Sequence, residues 1–446
     1  MKITRNYILP LFALAALILA GCDHDYDRVF SESADARVQA DIDAQTSVLT
    51  SASYGWKASL LTGTGIRYFY YFDFNADGTV NMLSDFNETT AGTPKASLWT
   101  VKALQTTTLS FTTYSYIHLP ADPNGSVNGG DDGAGRISDS EFAFAGTSGD
   151  SLVLEGVQRG SRITFLKASE EEQTMVLGGR IKDILHYGVA NKALKLSIAK
   201  DKAITFAFNA NAKSLTAQYV SDDGKHVENN KLSYVISMDG LVLSQPIKTN
   251  GTEIQSFQWD ADNKRYYAET SIGRQPVDVL NDVYVFKPTI PFSSYIGVDY
   301  IALRIPYDAG TNPVPGQSAD FTTLWNNAAT SLLSGQYGLT LSDIYFIFDA
   351  TGKKMYITVT VLQGQDLFLC QYNYTYSANA SGNFKFTYGG SDANGDAISA
   401  DMAAILQHVN DETFSGEYVG GGTERMGGFF SQDTPAFSFA GFLTNE

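Results

Sequence analysis

Aromatic and non-aromatic residues alternate in three similar stretches of the chain, and each stretch contains an Asn or Asp followed by Ala. The stretches are Tyr70–Val80, Thr205–Asn211 and Tyr345–Gly352. Because successive side chains of a strand point to opposite faces, the alternation predicts a β-strand that runs into a tight turn. We therefore interpret the chain as one supersecondary unit repeated three times.

Two further features accompany each stretch. A second aromatic strand position follows it, at Trp99, Tyr234 and Tyr374, and a Tyr-Gly pair precedes it, at Tyr54-Gly55, Tyr187-Gly188 and Tyr337-Gly338. Short apolar runs separated by Asn-Gly, Asp-Gly and Ser-Gly turns fill the intervals. Connections this short leave no room for crossover helices, so we expect neighbouring strands to be antiparallel.

Apolar residues at helical spacing precede each aromatic stretch and predict one helix per unit. The stripes are Val38, Ile42, Leu49 and Ala52; Leu177, Ile181, Ile184 and Leu185; and Phe321, Leu324, Trp325, Ala328 and Leu332. The second helix opens with Ser169-Glu170-Glu171-Glu172, which has the pattern of a capping box. A further stripe at Met402, Ile405, Leu406 and Val409 predicts an additional helix in the third unit.

These patterns together predict a mainly β (α+β) protein of three tandem units, each a helix packed on a curved antiparallel sheet or small barrel. We expect the units at residues 31–168, 169–310 and 311–446, with the second boundary in the Gly- and Pro-rich segment 310–316. In the third unit the Tyr-Gly pair lies close before Phe346. This short spacing indicates that a strand is missing or displaced there.

The first 22 residues have the layout of a bacterial lipoprotein signal. Lys2 and Arg5 precede an apolar run at residues 8–20, which is too short to span a bilayer and ends in Leu19-Ala20-Gly21-Cys22. We expect residues 1–21 to be removed and Cys22 to carry diacylglycerol on its thiol and a further acyl chain, such as palmitate, on its amine. Residues 22–30 then form an acidic tether, which is either a solvated linker or a signal for surface export.

The charge of the chain restricts its partners. The formal net charge is −17, and removal of Lys2 and Arg5 with the signal leaves 29 basic and 48 acidic residues, or −19. No basic run is present to neutralise phosphates, so a nucleic acid is not an expected partner. An anionic bilayer repels such a chain, and membrane attachment is therefore expected through the lipid on Cys22 alone.

A set of local motifs resembles the Bacteroidetes lipoproteins grouped as domain of unknown function 4302. The motifs are the cysteine motif at Cys22, Phe30–Ser33, Tyr54–Trp56, Phe74–Val80, Ser110-Phe111, Ile117–Pro123, Leu154–Gly156 and Gly160–Ile163. The resemblance is strongest over residues 22–168. It implies an outer-membrane lipoprotein encoded near nutrient importers. If the acidic tether is a surface-export signal, the protein is expected to face the cell exterior. The family has no assigned activity, so the resemblance implies no catalytic residues.

Few motifs in the sequence carry a specific chemistry. Asp73, Asn75 and Asp77 match the opening of a calcium loop, but position twelve is Ser84 instead of Glu, so a hairpin turn is the favoured interpretation. The sequence contains no His-Glu-x-x-His, Gly-x-Ser-x-Gly or Gly-Lys-Ser/Thr motif. We predict no catalytic residue, no metal site and no cofactor. Cys370 lies in an apolar strand and is expected to be a small buried hydrophobe.

Two groups of residues are candidate ligand sites. The connection from Asp122 to Asp139 is rich in Gly and polar residues, and its Asp122, Asp131 and Asp132 could form a polar pocket with His118; the alternative is a flexible connection. Tyr372, Tyr374 and Tyr376 lie on one face of a predicted strand. That face is either core or, if exposed, a stacking platform for sugars.

Taken together, the sequence favours a non-catalytic binding lipoprotein that holds a glycan, a peptide or an importer component. The alternatives are a purely structural protein-binding partner of an outer-membrane transporter and, less favoured, a hydrolase. A concave patch of aromatic and polar residues would support ligand binding. A flat apolar surface would support a protein partner.

Overall fold

The computed structural model describes residues 32–148 and 151–445. The predicted signal at residues 1–21, the lipidation site Cys22 and the acidic tether at residues 22–30 lie outside the described residues. Within the described part, no helix is both long enough and apolar enough to cross a membrane.

The first unit is a closed antiparallel barrel. Its elements are α1 (Ala34–Thr50), β1 (Trp56–Leu61), β2 (Arg67–Phe74), β3 (Thr79–Ser84), α2 (Glu88–Gly92), β4 (Lys95–Ala103), β5 (Thr107–Phe111), a 3-10 helix (Tyr116–Ala121), α3 (Gly125–Asn128), β6 (Glu141–Ser148), β7 (Ser151–Gly156) and β8 (Arg162–Lys167). The strands follow one another in chain order around the ring, and β1 pairs with both β2 and β8. A ring closed in this way leaves no open sheet edge.

Strand β2 shows how the aromatic alternation is used. Tyr70, Phe72 and Phe74 pack in the core of the first barrel, whereas Phe69 and Tyr71 belong to the apolar core of the second unit. The strand is therefore buried on both faces. Each face of β2 contributes to a different core, which joins the two units.

The second unit is also a closed antiparallel barrel in chain order. Its elements are α4 (Glu170–Leu177), α5 (Arg180–Val189), β9 (Leu194–Ala199), β10 (Lys202–Asn209), β11 (Ser214–Val220), β12 (Val227–Ser237), β13 (Gly240–Thr249), β14 (Thr252–Asp260), β15 (Arg265–Thr270) and β16 (Gly273–Val279). Strand β9 pairs with both β10 and β16. The predicted capping box at Ser169 is present, and α5 buries Ile181, Ile184 and Leu185 against the barrel.

The third unit is a nine-stranded antiparallel sheet. Its elements are β17 (Val285–Phe286), a 3-10 helix (Phe292–Ser294), β18 (Ala302–Ile305), α6 (Ala319–Ser334), β19 (Thr340–Asp349), β20 (Lys354–Gln363), β21 (Asp366–Ala378), β22 (Asn383–Ser391), α7 (Ala393–Ala397), α8 (Ser399–Asp411), β23 (Thr413–Val419), β24 (Met426–Ser431) and β25 (Ser438–Thr444). Strand β18 pairs with both β19 and β25, and β24 pairs with both β23 and β25. The strands from β18 to β25 therefore form a closed ring. The short β17 adds to β23.

The strand pairing corrects the boundary that was expected between residues 310 and 311. Strands β17 and β18 precede that boundary, yet both belong to the third sheet. The segment 310–316 is consequently a loop inside the third unit, between β18 and α6. In this unit the helix follows its first full strand, whereas the helices of the other units precede theirs. This displacement accounts for the short spacing before Phe346.

The expectation of a mainly β protein built from antiparallel sheets with few helices is confirmed. Helix α1 packs less than its apolar stripe suggested. Leu49 is buried and Ile42 and Ala52 pack against the barrel core, but Val38 is 43% exposed. Ile42 and Leu49 thus join α1 to the core, and Ala52 adds a contact just after the helix ends.

Buried polar contacts join the second and third units. Thr216 Oγ1 donates to the carbonyl of Thr423 at 3.0 Å, and Gln218 Nε2 donates to the carbonyl of Glu424 at 3.0 Å. The amide of Gly421 donates to Gln218 Oε1 at 3.1 Å. Thr216 and Gln218 are both buried. The loop between β23 and β24 therefore docks on the wall of the second barrel.

Candidate functional site

A cleft of about 470 Å³ lies where the second barrel meets the beginning of the third unit. We call it the central cleft and define it by six of its lining residues: Asp201, Lys202, Tyr219, Asn250, Tyr284 and Lys287. Ligand sites commonly lie between domains, in clefts of a few hundred Å³ that combine apolar walls with a few polar groups. The central cleft has this composition.

Two turns of the second barrel supply the polar side of the central cleft. Asp201 and Asn250 occupy them with positive φ angles of 62° and 49°. The amide of Asn250 and the hydroxyl of Thr249 donate to Asp222 Oδ1 at 2.9 Å and 2.7 Å, which fixes the second turn. Lys202 Nζ donates to Asn250 Oδ1. These bonds hold the polar groups in place without a ligand.

The aromatic side of the central cleft centres on Tyr284, which is half-buried. Its ring meets Phe286 edge to face at 4.8 Å between centroids, and Lys195 Nζ lies 4.8 Å from its centroid. Burial and the nearby carboxylate of Asp201 raise the pKa of Tyr284. The hydroxyl of Tyr284 therefore stays protonated at neutral pH and can donate a hydrogen bond.

The lining of the central cleft combines charged, polar and aromatic side chains. Lys202 and Lys287 offer two positive groups against the single carboxylate of Asp201, in a chain whose net charge is −17. The described residues that line this cleft include neither histidine nor cysteine. The arrangement presents an aromatic ring, ammonium groups and an amide to a polar ligand.

Sequence reasoning missed the central cleft. The sequence marks the segment that contains Tyr284 only as a short apolar run, while Lys202 begins β10 and Asn250 lies in a turn of the second barrel. The turn-favouring residues Asp201 and Asn250 are the local signal that the sequence offers. Whether these residues lie near Tyr284 depends on how the second and third units pack against each other.

His118, a predicted site residue, has a structural role. Its Nδ1 accepts from the amide of Ser115 at 3.1 Å, and its Nε2 lies 3.2 Å from the carbonyl of Phe111, to which it donates. Its ring stacks on Tyr114. Burial lowers the pKa of His118. Both ring nitrogens are occupied, so neither is available to a ligand.

The acidic residues of the Asp122–Asp139 connection stabilise turns. Asp122 accepts from the Tyr114 hydroxyl and from the amide of Asn124, and Asp132 accepts from the amide of Gly125. The carbonyl of Asp131 closes a turn at Gly135. Tyr114 thus brings His118 and Asp122 together, whereas Asp131 and Asp132 bond within the connection itself. The expected polar pocket is not formed by these contacts.

The same connection is ordered and joins the first two units. Asn128, which is 3% exposed, donates to the carbonyls of Leu119 and Asp122 at 3.0 Å and 2.9 Å. Arg136 donates to the carbonyl of Asn211 in the second unit at 2.9 Å. Asn128 thus bonds within the connection, and Arg136 links the connection to the neighbouring barrel.

Tyr372, Tyr374 and Tyr376 are core residues, and the exposed stacking platform is wrong. Their exposed fractions are 1%, 2% and 6%. The hydroxyls of Tyr372 and Tyr374 donate to the carbonyl of Gly395 and to Asn410 Oδ1, both at 2.9 Å. The face of β21 that carries them lines the interior of the third unit, so sugars do not reach it.

The Asp73–Asp77 segment forms a hairpin turn. Asp77 Oδ1 accepts from the amide and the hydroxyl of Thr79 at 2.9 Å and 2.6 Å, and these bonds lower the pKa of Asp77. Asn75 donates to the same hydroxyl at 3.2 Å. Among the residues that the structure describes, no group of three His, Cys, Asp or Glu side chains is placed to hold a metal ion.

Cys370 and His408 have structural contacts. Cys370 is buried, and burial raises the pKa of its thiol to about 11, so it is not a thiolate at neutral pH. His408 Nδ1 lies 2.8 Å from Glu412 Oε1, and Thr434 Oγ1 donates to the same oxygen at 2.7 Å. The His408 ring stacks on Phe437. These contacts tie the C-terminal end of α8 to the loop between β24 and β25.

The fold and the central cleft define a class of protein: tandem antiparallel β-barrel units with a ligand-sized cleft between two of them. A family profile described as "Domain of unknown function (DUF4302)" matches residues 26–261, which is more than half of the chain. The chain therefore belongs to the DUF4302 family.

Other comparisons add little. No curated protein matches the chain. Among solved structures, a DnaN sliding clamp (DNA polymerase III subunit beta) from Pseudomonas aeruginosa, bound to griselimycin, covers 90% of this chain and 96% of its own at 7% identity. The TM-score of that match is 0.16, which is too low to carry an argument about fold or function.

Proposed function

We propose that this protein is a non-catalytic lipoprotein of the outer membrane that faces the cell exterior and binds a nutrient ligand, a glycan or a peptide, beside an importer. The central cleft is the observation that carries this proposal. Its lining brings Tyr284 and Lys287, from the beginning of the third unit, together with Lys202 of the second barrel.

Support for the lipid anchor comes from the sequence. The apolar run at residues 8–20 and the Leu19–Cys22 motif are typical of lipoprotein signals, and Cys22 is the residue that would carry the lipid. An acidic chain gains nothing from contact with an anionic bilayer, so the anchor must be the lipid.

The lining of the central cleft favours a particular ligand chemistry. A tyrosine offers an apolar ring face with a polar tip, which suits the apolar face and the hydroxyls of a sugar. Lys202 and Lys287 add attraction for a carboxylate. A sugar acid and a short peptide with a free C-terminus share this chemistry. We expect affinities in the micromolar to millimolar range, roughly 4–8 kcal/mol.

Calorimetric titration of the chain from residue 23 onwards tests the proposal. The ligands are neutral oligosaccharides, oligosaccharides of sugar acids, and short peptides with free or amidated C-termini. Tyr284→Ala and Lys287→Ala are expected to weaken binding about tenfold each, or about 1.4 kcal/mol. Tyr307→Ala is the matched control, because Tyr307 is 68% exposed and does not line the cleft.

Three results would count against the proposal. Binding that both cleft variants leave unchanged would place the ligand elsewhere. The melting temperature of each variant is measured in parallel. If Lys287→Ala lowers it, the weaker binding of that variant results from lost stability and not from a lost contact with the ligand. Turnover of a glycan or peptide that disappears on changing one Asp or Glu would establish a hydrolase instead.

A further inference from the structure

The hairpin of β20 and β21 exposes an unusual run of apolar side chains. Leu367, Phe368 and Leu369 follow one another in β21 with exposed fractions of 59%, 39% and 53%. Side chains alternate along a strand, so Leu367 and Leu369 lie on the outer face and Phe368 on the opposite one. We call residues 366–369 the β21 tip.

The β21 tip has an open strand edge. β20 pairs with β21 from Asp366 onwards, but β22 joins the other side of β21 only from Tyr372. On that side, Asn394 Nδ2 donates to the carbonyl of Leu369 at 2.9 Å. Because alternate residues of a strand direct their backbone groups to the same edge, the N–H groups of Leu367 and Leu369 also face it. No partner for either N–H is found among the described residues.

An apolar pocket adjoins this edge. It has a volume of about 360 Å³, and Tyr337, Leu339, Phe368 and Ile398 are among its lining residues. Tyr337 is itself 46% exposed. The β21 tip therefore offers apolar contacts on both faces and unpaired donors along its edge. An added strand needs this combination, since its side chains alternate between the two faces.

Helix α7 lies beside β21 and covers part of this edge, so the backbone groups left free within the described residues are those of Leu367 and the N–H of Leu369. The sequence of the hairpin adds little further protection. Native proteins guard exposed edges with Lys, Pro, bulges or a covering element. Residues 359–371 contain no Lys, Arg or Pro. The charged groups beside the edge are acidic: Asp366 lies at the tip, and Asp392 accepts from the amide of Gln371 at 3.1 Å.

We propose that the β21 tip binds an extended apolar segment of a partner protein, flanked by basic residues, which adds to β21 as a further strand. The charge argues against a second copy of this chain, because edge-to-edge pairing of two copies would bring their Asp366 and Asp392 side chains together. This interaction is separate from ligand binding in the central cleft.

Fluorescence anisotropy with two synthetic peptides tests the proposal on the chain from residue 23 onwards. Both peptides alternate Val and Thr, and one is flanked by Lys and the other by Glu. The Lys-flanked peptide is expected to bind, with the Glu-flanked peptide at least about tenfold weaker. Leu369→Lys is expected to abolish binding, because it adds a repelling charge at the edge.

Matched controls separate this surface from others. Leu98→Lys changes a leucine that is 51% exposed on the first barrel and is expected to bind the peptide like the unaltered chain. Tyr284→Ala is also expected to leave peptide binding unchanged, and Leu369→Lys to leave ligand binding in the central cleft unchanged. Failure of the β21 tip proposal can thus be distinguished from failure of the central cleft proposal.

The proposal is overturned if neither peptide binds, or if Leu369→Lys and Leu98→Lys have the same effect. Equal binding of the two peptides would overturn the assignment of basic flanks. Analytical ultracentrifugation tests whether a second copy of this chain binds the edge instead. A concentration-dependent dimer that Leu369→Lys abolishes would show that it does.

Discussion

Lys213 and Asp85 form a buried ion pair at the contact between the first two units. Their side chains are 2% and 0% exposed, and Lys213 Nζ lies 2.9 Å from Asp85 Oδ2. Asp85 Oδ1 accepts from the amide of Phe69 at 2.9 Å, and the rings of Tyr68 and Tyr234 flank the ammonium group. Burial raises the pKa of Asp85 and lowers the pKa of Lys213, since desolvation penalises both charges, and their contact offsets part of that cost.

Removal of one partner should be more harmful than removal of both charges. We expect Lys213→Met to lower the free energy of unfolding by about 3–5 kcal/mol, because Asp85 is left buried without a counter-charge. The double variant Asp85→Asn/Lys213→Met should recover part of this loss, as Asn can still accept from the amide of Phe69. Urea unfolding measures both. A double variant no more stable than Lys213→Met would contradict this account.

At the scale of elements, strand β21 shows why an aromatic alternation was ambiguous. Its Tyr372, Tyr374 and Tyr376 face the interior of the third unit, and two of their hydroxyls find partners there. The exposed apolar residues of the same strand lie instead at its start. The periodicity of the sequence identifies which side chains share a face of the strand. The pairing of β21 with β20 and β22 decides how much of that face is covered.

Truncation of one tyrosine tests the burial of this face. Tyr374→Ala should cost about 3–5 kcal/mol, as for other large buried aromatic residues. Tyr374→Phe should cost about 1 kcal/mol, because it removes only the hydrogen bond to Asn410. The exposed Tyr307→Ala should stay within about 0.5 kcal/mol of the unaltered chain. Equal effects of Tyr374→Ala and Tyr307→Ala in urea unfolding would refute a core role.

At the scale of the whole molecule, successive units share cores and hydrogen bonds. Phe69 and Tyr71 of the first barrel pack in the second core, Arg136 bonds across the same contact, and Gln218 bonds to the loop after β23. Such contacts hold the clefts between units in a fixed shape. A preformed cleft binds its ligand without the entropic cost of first ordering the cleft residues.

The proposed lipid anchor rests on one residue, Cys22. We expect Cys22→Ala to abolish incorporation of an alkyne-labelled fatty acid and to release the protein from the outer membrane, because the thiol that accepts the lipid is lost. Metabolic labelling followed by fractionation measures both effects. Cys370→Ala is the control, since Cys370 is buried and should not affect labelling. Label that persists in Cys22→Ala would rule out the predicted lipid site.

Local interactions determined what the sequence alone could predict. Strand alternation, turn residues and the cap at Ser169 depend on neighbours a few residues away, so the β-rich class and the hairpins could be read from them. The tertiary structure decided the rest. Which strand closes each ring, how Lys213 meets Asp85, and how Tyr284 reaches Lys202 all depend on contacts between distant segments. Burial and packing select those contacts, and no local pattern encodes them.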